Sequence, residues 1–212
     1  MPRRISAHLL LLLASATDAF QEVPPAVTHD AAASESKCIF EGARLFNQTG
    51  RIVTCADLAG RSVAIYFAGE WCPLCRRFTP ALREFYASFR ESIEIVFVSS
   101  DETSHDAQKH YKHQLGLDGT HHHVDRAGWL ALAFDDPLAD ELKRRHRVWS
   151  GREVHKFGSR RRAGVPSIVV IKPDGEEDSF IQGERFGAAA LREWEPDARS
   201  AWARHSDHSD EL

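Results

Sequence analysis

Cysteine is scarce in this chain: 212 residues carry four, Cys38, Cys55, Cys72 and Cys75. That is too few for a small scaffold held together by disulfides, and a chain of this length does not need the staples. A strong basic charge is also missing. Lys and Arg number 27 against 31 Asp and Glu, for a formal net charge of −4, which excludes a general nucleic-acid-coating protein. No internal repeat occurs. No apolar run approaches the roughly 20 residues that a membrane-spanning helix needs. What is present, 42% apolar and 27% charged residues, suits one ordinary globular domain with a real core and some ancillary sequence.

The two ends read as addresses. Arg3 and Arg4 precede a short apolar run, Ile5 to Ala14, and Ala14-Ser-Ala16 offers a small-residue cleavage site, with Ala19 as an alternative. This is the layout of a secretory signal, assigned to residues 1–19. Residues 20–40, with Pro24-Pro25 and Ala31-Ala-Ala-Ser-Glu-Ser, read as a flexible linker. The tail, residues 197–212, ends in Ser209-Asp-Glu-Leu212, similar to the retrieval signals of residents of the endoplasmic reticulum and departing from them at Ser209. A signal at one end and this tail at the other point to the lumen of the endoplasmic reticulum. Simple secretion or a plastid-type bipartite signal are the alternatives.

Between the ends, Arg44-Leu-Phe46 and Arg51-Ile-Val-Thr54 flank a turn at Asn47 to Gly50 and predict a hairpin. Val63 to Phe67, Ile93 to Val98 and Ile168 to Ile171 are near-continuous apolar runs, the signature of strands covered on both faces. Leu74, Phe78, Leu82, Phe85, Tyr86 and Phe89 recur at helical spacing. Further helices are expected over 106–115, 139–148 and about 188–194, and a turn at Pro173-Asp-Gly175 into a short strand near Phe180-Ile181. Strands alternating with helices and closing on a late hairpin predict an α/β domain over residues 41–196.

The chemistry concentrates at Trp71-Cys-Pro-Leu-Cys75. Two cysteines three positions apart, after an apolar strand and at the start of a helix, have the spacing of a redox dithiol that closes into a small disulfide loop. Pro73 suits the first helical position, where its missing N–H costs nothing. Cys72 then stands at the helix N-terminus, where free N–H groups and the helix dipole favour the thiolate, the species that attacks disulfides. Cys75, one turn inward, is expected to be the resolving thiol. The competing reading is half of a zinc site, but Cys38 and Cys55 lack the close spacing of a second ligand pair.

Phe67-Ala-Gly-Glu-Trp-Cys-Pro-Leu-Cys-Arg-Arg-Phe-Thr-Pro80 resembles the active-site strand–helix junction of the thioredoxin superfamily, and within it the tryparedoxin/nucleoredoxin branch. Leu82-Arg-Glu-Phe85-Tyr86, Ile95 to Asp101, Trp129 to Phe134 and Gly164 to Gly175 continue the likeness in the family's order. The resemblance implies a thioredoxin-like fold, with a central mixed β-sheet flanked by helices in three α/β/α layers. It implies a thiol–disulfide oxidoreductase that needs no bound cofactor and no metal. Cys72 would be the nucleophile and Cys75 the resolving cysteine of a redox-active disulfide. Pro166, after Val165, would be the cis-proline facing it, with Trp71 covering one side; Trp71, Val165 and Pro166 would bind substrate. Pro80 matches a proline inside the active-site helix.

This chain departs from the pattern in three ways. Tyr66 stands, as in the tryparedoxin branch, where many thioredoxins carry a buried acid, so the proton acceptor for Cys75 is unassigned. Leu74 replaces the branch's second proline, and the CxxC interior lacks the His of disulfide isomerases. Cys38 and Cys55 are open to three readings: a structural disulfide, buried free thiols or an auxiliary relay. Asn47-Gln-Thr49 is a glycosylation sequon or ordinary turn chemistry. His105, His110, His113 and His121-His-His123 invite a metal, but no complete ligand set accompanies them, and a solvated loop is preferred. Lys143 to Arg162 holds nine Lys/Arg against the single Glu153; it is read either as a basic rim that steers acidic clients or as a solvated face. Expected partners are protein or peptide disulfides and an electron donor or acceptor, met by a monomer without nucleic acid or membrane span. The rival functions are a non-catalytic chaperone or binding module on the same fold, and a thiol peroxidase.

Overall fold

The computed structural model describes residues 38–116 and 128–194. The expected signal, most of the linker, the His121 to His123 run and the tail lie outside them. Two short strands open the described chain, β1 (Leu45–Phe46) and β2 (Ile52–Val53), paired antiparallel. Their turn is tied by Asn47 Oδ1, which accepts from Thr49 N, Thr49 Oγ1 and Arg51 N at 3.0, 2.8 and 3.0 Å. After a single helical turn, α1 (Cys55–Leu58), the chain enters β3 (Ser62–Ala68), α2 (Pro73–Phe89), β4 (Ile93–Ser99) and α3 (Ser104–Gln114). Then follow β5 (Leu130–Leu132), α4 (Pro137–His146), a 3-10 turn (Gly151–Glu153), α5 (Val154–Phe157), β6 (Ser167–Ile171), β7 (Glu177–Ile181) and α6 (Gly183–Phe186). Residues 189–194 close it as a helical segment.

The strands form one mixed sheet in the order β2-β1-β5-β4-β3-β6-β7. β3, β4 and β5 are mutually parallel; β6 and β1 run the other way, and β7 and β2, antiparallel to them, run with β3. The ends of β3 and β4 that lead to Cys72 and Asp101 therefore share one pole of the sheet. The β1–β2 turn, with Asn47, lies at the other.

The apolar runs account for the centre of this sheet. Nearly every residue of β3, β4 and β6 is buried, and burial of each large apolar side chain contributes about 1.5–3 kcal/mol. α2 covers one face with Phe78, Leu82, Phe85, Tyr86 and Phe89 while most of its arginines stay outside, as the periodicity predicts; Leu74, the first residue of that predicted stripe, is instead exposed in the CxxC loop. Pro80 sits inside α2 without ending it. The chain thus has the thioredoxin-like α/β architecture.

Two sequence expectations are sharpened by the structure. The basic stretch from Lys143 to Arg162 is largely a solvated face, with seven of its nine cations exposed, but one is buried and most of the rest are paired. Lys143 is only 4% exposed, and its Nζ donates to Ser99 O and Glu153 Oε1 at 2.7 and 2.5 Å. Arg144 and Lys156 crowd the Phe157 ring, Arg161 and Arg162 pair with Glu184 and Glu177, and Arg147 donates to Arg160 O. The second concerns His110, which is not a solvated histidine. It is 1% exposed, inside α3 and edge-on to Phe97. Among the described residues, no three His, Cys, Asp or Glu side chains gather as a metal site, and no helix is long and apolar enough to cross a membrane.

Candidate active site

β3 delivers the chain to Gly69-Glu-Trp-Cys72 at the pole where parallel strands end. Gly69 is required by close approach: a Cβ there would lie 2.7 Å from Trp71 Nε1. Cys72 is the N-cap of α2, Pro73 its first residue, and the Cys75 N–H donates to Cys72 Sγ at 3.1 Å. A sulfur occupies the place where a Ser or Asp oxygen usually satisfies a helix's first free N–H groups. Cys72 and Cys75 are joined as a disulfide, their Cα atoms 5.2 Å apart. Cys75 is wholly buried and Cys72 3% exposed.

The opposite wall is the loop before β6. The Val165–Pro166 peptide is cis, and the Val165 carbonyl oxygen lies 3.6 Å from Cys72 Sγ. Glu184 fastens this loop by accepting the Gly164 N–H at 2.5 Å. Trp71 forms the lip. Its Nε1 donates to Ser100 O at 3.1 Å, and the Arg152 guanidinium carbon sits 4.3 Å from its ring centroid.

Beneath the site, Tyr66 is fully buried. Its hydroxyl is 3.2 Å from Thr79 Oγ1, which donates to Cys75 O at 2.9 Å. Burial, the larger effect, pushes the Tyr66 phenol far above its ordinary value, against the opposing effect of its hydrogen bond with Thr79. The ring stays neutral and serves as a hydrogen-bonding group, not a base.

Two residues that carry the loop were not singled out from sequence. Asp101, its side chain 1% exposed, accepts the Glu70 N–H at 2.7 Å and the Ser99 hydroxyl at 2.8 Å. Its signal was an acid just past the C-terminal end of a buried strand. Arg152 was hidden in a charge run. The other cysteines, Cys38 and Cys55, form a separate disulfide with Cα atoms 6.0 Å apart, tying the start of the described chain to α1. Asn47 is at the far pole, and the structure does not bring it near the CxxC loop.

A mixed α/β sheet that presents a CxxC disulfide at a helix N-terminus, faced by a cis-proline, defines the dithiol–disulfide proteins of the thioredoxin fold. A family model described as thioredoxin-like matches residues 60–177. The chain belongs to that thioredoxin-like family, whose shared chemistry is thiol–disulfide redox exchange. It is 28% identical over 135 residues to "Probable nucleoredoxin 1" of Arabidopsis thaliana, covering 62% of this chain and 19% of that one. It is 36% identical over 93 residues to the tryparedoxin of Trypanosoma brucei brucei, covering 43% of this chain and 55% of that one. The chain thus spans less than two thirds of the length of these relatives. Among solved structures, the thioredoxin of Wuchereria bancrofti superposes with a TM-score of 0.50 at 28% identity, covering 79% of this chain and 97% of that one.

Proposed function

We propose that this protein is a protein-disulfide oxidoreductase that works through Cys72 and Cys75 in the lumen of the endoplasmic reticulum. The observation that carries the reading is the placement of Cys72 Sγ at the N-terminus of α2, held by the Cys75 N–H and faced by Val165 O. In the reduced protein the helix N-terminus favours the Cys72 thiolate. That thiolate attacks one sulfur of a substrate disulfide; the substrate S–S bond breaks, a mixed disulfide forms, and the other sulfur leaves as a thiolate that takes up a proton. Cys75, losing its proton, attacks Cys72 Sγ. The second substrate thiol is released and Cys72–Cys75 is left oxidised. The substrate gains two electrons and the protein loses them; oxidation of a client runs the same steps in reverse. Val165 and Pro166 offer backbone for an extended substrate segment, and Trp71 a flat apolar contact. The N-terminal apolar run and Ser209 to Leu212 support the lumenal assignment. Protein or peptide disulfides are the substrates, and a separate thiol donor or disulfide acceptor completes the cycle.

Replacing Cys75 with Ala removes the resolving step, so Cys75→Ala is expected to accumulate mixed disulfides at Cys72 that dissolve under dithiothreitol. Cys72→Ser should form none. Equal capture by both variants would refute a catalytic role for Cys72. The direction follows from the reduction potential of the pair. A value near about −270 mV would leave it oxidised at an endoplasmic-reticulum poise of about −180 to −210 mV and require a dedicated donor, whereas about −180 mV suits an oxidase or isomerase.

A further inference from the structure

The stretch from Lys143 to Arg162 folds so that one cation reaches the redox site and most of the others are consumed elsewhere. Lys143 is buried against Ser99 O and Glu153. Glu153 in turn accepts the Ser150 N–H at 2.9 Å and closes the short turn that carries Arg152. Among the described residues, Arg152 is the one cation stacked on Trp71, the residue before Cys72.

A guanidinium lying over an aromatic ring keeps N–H groups that can receive a carboxylate. Among the described residues the carboxylate there is Glu102, 3.5 Å from Arg152 Nη1, with the two side chains 53% and 72% exposed. An exposed pair at that length is weak and readily exchanged. The neighbouring groups do not take this place. Arg76 Nη1 donates to Glu70 O, Glu70 faces Lys109 and His113, and Glu184 is held by Arg161 and Gly164 N.

We infer that Arg152 selects substrates bearing a carboxylate next to the scissile disulfide, with its N–H groups exchanging Glu102 for the substrate's acid while the stack on Trp71 holds it beside Cys72. The inference rests on the oxidoreductase reading above and specifies its substrate class. The carboxylate can belong to an acidic side chain of a protein client or to the terminus of a small peptide disulfide.

The test is the single-turnover rate at which the reduced full chain is oxidised by three peptide disulfides that differ only in Glu, Gln or Lys beside the cystine. Wild type should prefer Glu over Gln by about fivefold, the factor for one charge pair at contact distance in water, and lose the preference in high salt. Arg152→Gln should bring the ratio to about one, Arg152→Lys should keep part of it, and Arg152→Glu should favour the Lys peptide. Glu102→Gln should raise the preference for Glu. Oxidised glutathione separates the sources: if Arg152→Glu slows it as much as the Glu peptide, terminal carboxylates are read; if it is unaffected, the acid is a side chain of the client. A uniform fall for all three peptides, or an unchanged ratio in Arg152→Glu, would overturn the inference and leave the oxidoreductase reading intact. Absence of exchange with any of these disulfides would overturn both.

Discussion

At the residue scale, Tyr66 is informative because it stands where the resemblance to many thioredoxins would put a buried acid. Its hydroxyl bonds Thr79, and its ring packs against Phe78, Phe97 and Trp129. With its phenol held neutral by burial, it braces the α2 turn below Cys75 and takes no proton. Tyr66→Phe is therefore expected to cost about 1 kcal/mol of stability and to change the exchange rate less than twofold. A tenfold slower rate with unchanged stability would instead make Tyr66 part of the proton path. Cys72 and Cys75 were legible in the sequence because a CxxC after an apolar run is a local pattern, whereas the cis Val165–Pro166 bond was expected only from the family resemblance. Asp101 was not legible, since its role depends on two parallel strands ending side by side. Nor was His110, whose burial follows from the packing of α3 on Phe97.

At the scale of elements, the long units were readable, and so were the β1–β2 hairpin and β7 from their turn residues, while the other short units were not. β3, β4, β6 and α2 are specified by continuous apolar runs or by a helical stripe. β5 has three residues, and α5 and α6 four each, too few to show a period. The segment from α4 to α5 misleads for a different reason. Its charges suggest solvent, yet Lys143 and Glu153 pair in the interior, with side chains 5% and 15% exposed. Burial pushes the Glu153 carboxyl up, but Lys143 and the Ser150 donors outweigh it and leave it below its ordinary value. Lys143→Met would strand that carboxylate and should cost about 3–5 kcal/mol, read as a lower urea midpoint. Adding Glu153→Gln keeps the cap on Ser150 without the charge and should restore most of the loss. If the double variant is no more stable than Lys143→Met, the pair does not hold this segment.

At the scale of the whole molecule, His146 connects α4 to β7. Its ring is nearly buried and its Nδ1 lies 3.0 Å from Glu177 Oε2. Burial lowers its pKa from the ordinary 6.5, outweighing the opposite pull of Glu177. The unfolded chain therefore binds this proton more readily than the folded one. Stability from His146 is present above pH 6.5 and is lost as pH falls through the depressed folded value. Glu94, raised by burial in spite of Arg61, acts in the opposite sense, so the contribution is read as a difference. Urea midpoints of His146→Gln should fall less than those of wild type as pH drops below the ordinary histidine value; parallel curves would exclude His146 as the source. The polarity of the sheet has a practical consequence. β1 runs against β5, so its turn emerges at the pole remote from the reactive sulfurs. A resin, dye or surface coupled through an engineered handle at Asn47 would hold the molecule by its back and leave the exchange chemistry facing the solution.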